Sequence, residues 1–156
     1  MKHTFYLFIA LFITLIFSAC QENGIVFPSN INPKGIFDVN IDGELFSTEN
    51  VSFTSNNKDI FINATKTGTN EIFTLKIADF AIGSFSFEGV NTVGTYIQND
   101  IISADVWTTN NAASSKGNIN FTNIDFVKNN VSGTFSFIGE NPSNNNKKAF
   151  TNGSFN

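Results

Sequence analysis

From Ile36 to its end the chain keeps a period of two. "GIFDVNI" puts Phe37, Val39 and Ile41 on one face of an extended strand, with Asp38 and Asn40 on the other. The alternation returns in "DIFINAT", "IFTLKIADF", "ISADVWTT", "GNINFTNIDF", "VSGTFSFIG" and "KAFTNGSF". β-Branched and aromatic residues dominate these runs, and clusters of Asn, Gly, Lys and Ser separate them. No stretch of this region spaces its apolar residues for a helix face. Such a chain buries its apolar side only by pairing strands and folding the sheet onto itself. The expectation is an all-β domain, a single antiparallel β-meander of roughly eight to ten strands closed as a sandwich or flattened barrel. Phenylalanine supplies the core. Fifteen of the nineteen lie beyond Phe17, the last of the four near the N-terminus, and each can bury ~150–250 Å².

The first residues, "MKHTFYLFIALFITLIFSAC", follow a different logic. Lys2 gives a positive start, Phe5 to Phe17 form an apolar run broken only by Thr14, and small Ser18 and Ala19 precede Cys20. This is the layout of a signal peptide, and the run is shorter than the ~20 residues a membrane span needs. Its end resembles the lipobox of bacterial lipoproteins, in which the cysteine receives a diacylglycerol and becomes the new N-terminus. Phe17 stands where the lipobox usually has Leu, Val or Ile. An ordinary secretory cleavage after Ala19 would leave Cys20, the only cysteine, as a lone thiol in an oxidising compartment. A lipid on Cys20 explains it better, so a membrane partner held through that lipid is expected. Gln21, rather than Asp, follows the cysteine, which favours the outer membrane. Residues 1–19 then read as the signal peptide, 20–35 as a tether carrying Pro28 and Pro33, and 36–156 as the β domain.

What the mature chain lacks limits its chemistry. The only His and the only Met leave with the signal peptide, and Arg is absent. Without His there is no Ser-His-Asp or Cys-His nucleophile system and no His-based zinc site. Eight lysines remain after Lys2 is removed from nine, against thirteen Asp and Glu. No basic patch is present to hold nucleic acid, and no glycine-rich phosphate loop calls for a nucleotide cofactor. No cofactor is expected. Only carboxylate chemistry survives as an enzymatic route, and it needs two carboxyls about 5–10 Å apart. Asp79, Asp105, Asp125 and Glu88 are scattered with nothing to pair them, so a hydrolase is the weakest reading and no catalytic residue is assigned.

"DVNIDGELFSTE" (residues 38–49) matches the calcium-loop pattern D-x-[DN]-x-[DN]-G-x5-E at every specified position. A hairpin accounts for more of its residues. With Asp42–Gly43 as a two-residue turn, Ile41 faces Glu44 and Val39 faces Phe46. Phe37, Val39, Ile41 and Phe46 then share the buried side and Leu45 lies outside. Neither flank has a helical period, which a calcium loop of this type needs, so no metal is assigned. At the other end, "KKAFTNGSF" puts Phe155 out of step with Phe150, a slip Gly153 could absorb as a bulge. "IADFAIGSFSFEG" (77–89) echoes "NIDFVKNNVSGTFSFIG" (123–139), which reads as two similar hairpins or a duplicated half-barrel.

"FDVNIDGELF", "GNINFTNIDFVKNNVSGTFSF" and "AFTNGSFN" together resemble a family of small Bacteroidota cell-envelope lipoproteins carrying a β-rich domain of unknown function. That family shows an F-x-A-x-I-D-G-x-x-F opening, a G-T-F-S-F strand and a closing T-x-G-x-F; Val39 replaces its usual Ala. The resemblance spans the mature domain and implies a compact β domain on a lipid anchor, with no activity and no catalytic residue attached.

Two aromatic residues remain as candidates for ligand stacking. Alternation in "SADVWTTN" puts Trp107 with Ser103, Asp105 and Thr109, polar company that suits a sugar platform; a covered strand or a place at a barrel mouth is the alternative. Tyr96, in "VGTYIQ", reads as a half-buried aromatic at a strand end. The expected function is a binding or accessory module for a small apolar ligand or a glycan. The rival is a structural lipoprotein that partners an outer-membrane assembly.

Overall fold

The computed structural model describes residues 35–56, 58–99, 104–110, 117–125, 128 and 130–156. The expected signal peptide, Cys20, the tether up to residue 34 and Ser103 lie outside them. Eleven strands make up the described chain: β1 (Phe37–Ile41), β2 (Glu44–Thr48), β3 (Val51–Asn56), β4 (Asp59–Lys66), β5 (Glu71–Ile77), β6 (Gly83–Ser86), β7 (Thr92–Asn99), β8 (Ala104–Thr108), β9 (Asn118–Asp125), β10 (Asn130–Glu140) and β11 (Lys147–Phe155). They form one antiparallel sheet, nearly closed and barrel-like, ordered β2-β1-β11-β10-β8-β7-β5-β4-β3.

The first hairpin has the expected register. Asp42 and Gly43 both take positive φ, 51° and 95°, as a two-residue turn matched to strand twist requires. Ile41 faces Glu44 and Val39 faces Phe46. Phe37, Val39, Ile41 and Phe46 are buried and Leu45 is exposed. The turn also holds the last strand. Asp42 N–H donates to the Ala149 carbonyl at 2.9 Å, and Ala149 N–H donates to Asp42 Oδ1 at 2.8 Å. Lys148 Nζ lies 3.7 Å from Oδ2. The carboxylate that the calcium reading would have used is thus occupied in joining β1 to β11.

The meander is interrupted where β6 is left out between β5 and β7 and β9 between β8 and β10, and β2 and β3 are not paired. β5 pairs β7, from Glu71↔Gln98 to Ile77↔Thr92, and Ala78 N–H extends the ladder to the Asn91 carbonyl at 2.8 Å. Residues 79–90 are therefore an excursion out of a β5–β7 hairpin, leaving through Asp79 at φ 48°. Within it, β6 crosses to pair β9. The two echoed segments consequently differ: β9 and β10 are a hairpin, whereas β5 and β6 are not. β10 is long enough to serve two neighbours on one edge, β9 along residues 130–136 and β8 at Glu140↔Thr108.

Two contacts close the sheet. First, β1 pairs β11, with Phe37 opposite Phe155 and Ile41 opposite Phe150. Asn156 N–H donates to the Ile36 carbonyl at 3.2 Å, and Ile36 N–H donates to Asn156 Oδ1 at 3.0 Å. Second, the β2–β3 corner folds onto β4: Thr48 Oγ1 donates to the Thr65 carbonyl at 2.8 Å, and Thr65 N–H donates to the Asn50 carbonyl at 3.0 Å.

Phenylalanine rings fill the interior. Phe73 lies with its ring centre 5.0–6.3 Å from those of Phe37, Phe46, Tyr96, Phe135, Phe137 and Phe150. Such tilted and edge-on pairs add to the burial of each ring. The slip near the C-terminus is what brings both Phe150 and Phe155 inside. Phe137 faces Phe150 and Phe135 faces Gly153, so the extra residue lies at Thr151–Asn152, where Asn152 takes φ 52°. Sequence placed that slip on Gly153. Gly153 has a neighbouring task, because a Cβ there would lie 2.5 Å from the Phe135 ring.

Three substitutions test this arrangement in chemical denaturation. Gly153→Ala should cost about 1–3 kcal/mol by overpacking against Phe135. Gly43→Val, placing a branched residue at φ 95°, should destabilise equally with and without calcium. Deleting residues 147–156 should abolish the cooperative transition, since it exposes both β1 and β10 edges; a truncated chain that melts like the parent would show β11 to be dispensable.

Candidate functional site

Strand polarity defines two ends of the barrel. β1, β4, β6, β7 and β10 run one way, and the remaining strands run against them. The end where β1, β4 and β7 finish and β2, β5 and β11 begin forms a mouth, with a pocket of about 330 Å³. Asp42, Glu44 and Leu45 supply one wall. Lys66, Glu71, Tyr96 and Gln98 supply the other, and Lys148 stands beside Asp42. The floor is Ile41 and Phe46, the first shell of the ring core.

Glu71 organises the mouth. The turn between β4 and β5 sets it directly across from Lys66, whose Nζ lies 3.7 Å from Oε2. Thr69 Oγ1 donates to the same oxygen at 2.6 Å, and the Tyr96 hydroxyl donates to Oε1. Burial alone would raise the carboxyl pKa, but the bonds from Thr69 and Tyr96 and the charge of Lys66 together outweigh it and hold it below its ordinary 4.5. Burial, followed by the negative Glu71 beside it, pushes the Tyr96 phenol well above its ordinary 10.0. At neutral pH the pair is therefore a carboxylate capped by a neutral phenol. Such a carboxylate accepts hydrogen bonds and is a poor general acid.

The structure brings the two sequence-selected aromatics together. Tyr96 and Trp107 are cross-strand partners, with ring centres 5.8 Å apart and planes 31° from parallel. Tyr96 is buried rather than half-buried, because Phe46, Phe73 and Phe150 pack around its ring while its hydroxyl bonds Glu71 on the pocket wall. Trp107 is 6 % exposed, and Lys148 Nζ stands 4.5 Å from its ring centre. It has too little open surface to stack on a sugar, and it packs against Tyr96 instead. Lys148 is thereby held between the Trp107 ring and Asp42, an arrangement that fixes a long flexible side chain.

Glu88 is exposed, and the other acidic candidates serve the fold. Asp105 accepts from Asn141 Nδ2 at 3.2 Å, Asp125 accepts from Lys128 N–H at 3.0 Å, and Asp79 makes the turn out of β5. Among the described residues no group of three or more His, Cys, Asp or Glu is placed to hold a metal ion. Sequence reasoning passed over Glu71, Lys66 and Lys148. For the first two a signal existed, since "KTGTNE" sets opposite charges on either side of a tight turn. Lys148 depends on the pairing of the first strand with the last, which no local pattern shows.

This chain belongs to the family described as a domain of unknown function, DUF6252, which matches residues 33–156. No curated protein and no solved structure matches it.

The Glu71–Tyr96 pair predicts a pH dependence of stability. Glu71, with its pKa lowered in the fold, contributes stability present above about pH 4.5 and lost as pH falls below it. Tyr96, with its pKa raised, contributes stability present below about pH 10 and lost as pH rises above it. Tyr96→Phe should cost about 1–2 kcal/mol at pH 7 through the lost bond to a carboxylate and should flatten the alkaline limb. An alkaline limb unchanged by Tyr96→Phe would remove Tyr96 as its source.

Proposed function

We propose that this protein is a cell-envelope β domain, anchored to the outer membrane of a Bacteroidota-type bacterium by lipid on Cys20, which acts as a binding or accessory module. Its ligand is taken at the barrel mouth, and a hydroxyl-rich, glycan-type ligand suits that mouth better than an apolar one. One observation carries this choice. The interior is occupied by phenylalanine rings around Phe73, while the pocket above them is rimmed by carboxylate, ammonium, amide and phenol groups. An apolar guest would displace water from charged groups without replacing its hydrogen bonds, whereas sugar hydroxyls both donate and accept. Glu71 and Lys66 are fixed by their own contacts, so they present hydrogen-bonding edges without a large ordering cost.

The supported activity is binding rather than turnover. A carboxylate hydrolase needs one carboxyl kept protonated, and the perturbed carboxyl of the mouth is shifted toward ionisation. One feature favours the second reading, an interaction lipoprotein that partners an outer-membrane assembly: Leu45, on the pocket wall, is 64 % exposed, as a protein-facing residue would be.

Two experiments test the reading. Cys20→Ser should release the protein from the membrane fraction or leave an unprocessed precursor; unchanged fractionation and size would remove the anchor. Titrating the protein with short neutral oligosaccharides should shift amide resonances of Glu44, Lys66 and Gln98, and Gln98→Ala should weaken the effect several-fold. Oligosaccharides that leave every mouth resonance in place would contradict glycan binding and return the Leu45 surface to first consideration.

A further inference from the structure

The end of the barrel opposite the mouth has a different surface. Strand polarity puts the starts of β1, β6 and β7 there. Ile36 immediately precedes β1, Ile82 immediately precedes β6, and Val90 lies in the connection into β7. These are three of the four large hydrophobics exposed among the described residues, at 44 %, 68 % and 74 %; the fourth, Leu45, is at the mouth. Single exposed apolar residues are ordinary on soluble domains. Three gathered at one end need a reason. The 79–90 excursion that carries Ile82 and Val90 is braced at its foot: Ala78 N–H donates to the Asn91 carbonyl at 2.8 Å, and Phe80 N–H donates to the Lys58 carbonyl of the β3–β4 turn at 3.3 Å. Ile82 and Val90 therefore project from a braced base.

This base is where the chain from Cys20 enters the domain. Gly35 and Ile36 sit at the lower end of β1, whereas the Asp42–Gly43 turn at the other end of the same strand lines the pocket. From these positions we infer that the base rests on the bilayer, with Ile36, Ile82 and Val90 seated among the lipid headgroups and the pocket opening away from the membrane. This rests on the lipid-anchored reading above. The contact is apolar, not electrostatic. Lys76 is paired with Asp59 at 3.5 Å and Lys128 with Asp125 at 3.6 Å. Lys58 is exposed in the β3–β4 turn, and Glu49, Asp79 and Glu88 are exposed at the same end, so the base has no positive excess for anionic lipid. A zwitterionic bilayer is the partner it fits. The diacylglycerol on Cys20 supplies the membrane affinity, and a protein surface seated beside the acyl chains fixes which way the domain faces.

The test uses the full lipidated chain in phosphatidylcholine vesicles, with Cys20 blocked by its own thioether. An environment-sensitive fluorophore is attached at Val90→Cys or, in a second preparation, at Gln98→Cys at the mouth. Emission from position 90 should shift to the blue and be quenched by lipids labelled at shallow acyl carbons several-fold more strongly than emission from position 98. Ile36→Asp/Ile82→Asp, both at exposed positions, should leave the melting transition in place and at least halve the quenching at position 90. Equal quenching at the two sites, stronger quenching at 98, or no effect of the double substitution overturns the inference. So does a blue shift at position 90 that grows with protein concentration without vesicles, which would make the base a surface for a second copy. Mass spectrometry of Cys20 separates the two levels. An unacylated chain defeats the anchored reading and this inference together; an acylated chain whose position-90 probe stays aqueous defeats this inference alone.

Discussion

The pairing of the first strand with the last is the contact on which the rest of this structure depends. A sheet whose inner face is mostly phenylalanine cannot stay open, because each ring left at an edge would keep a face in water. β1 against β11 removes that edge. It puts Phe37 opposite Phe155 and Ile41 opposite Phe150, whose ring the neighbouring β10–β11 ladder sets 4.5 Å from that of Phe137. The same pairing sets Lys148 beside Asp42 and over Trp107, so one wall of the mouth is a consequence of closure. Core and candidate site share a single cause.

Much of this was legible in the sequence, and the reasons are local. The Asp42–Gly43 hairpin could be read because its turn chemistry and its alternation agree on one register. The strand at the C-terminus could be read because Phe150 and Phe155 are five residues apart, an odd spacing that forces a bulge if both are buried. That the bulge falls on Asn152 and not Gly153 shows two demands competing for one glycine. Asn tolerates a positive φ, whereas only glycine leaves room beneath Phe135. The excursion at 79–90 was not legible. "GSFSF" and "GTFSF" look alike as strands, and nothing local says that β6 must leave β5 and pair β9. That choice is made by the β5–β7 ladder, a contact between distant residues.

The mouth was partly legible for the same reason. Trp107 and Tyr96 stood out by rarity, and rarity does not distinguish a ring that packs from a ring that binds. The structure shows packing, with the Tyr96 hydroxyl bonded to Glu71. Glu71 acquires its character from three partners, Thr69, Lys66 and Tyr96, and only the first two are near it in sequence. The two ends of the barrel then differ in kind: hydrogen-bonding groups collect where β1 finishes, and exposed aliphatic side chains collect where it starts.

Closure by the terminal strands is most directly tested by native-state hydrogen exchange. If the β1–β11 pairing is integral to the fold, the slowest amides of residues 37–41 and 150–155 exchange only through global unfolding. Their opening free energy then equals that of residues 73–75 in β5 and that from denaturant unfolding. Amides of β1 and β11 that exchange through a local opening, well below the global value while β5 remains protected, would show the barrel to be stable without its seam and contradict the account.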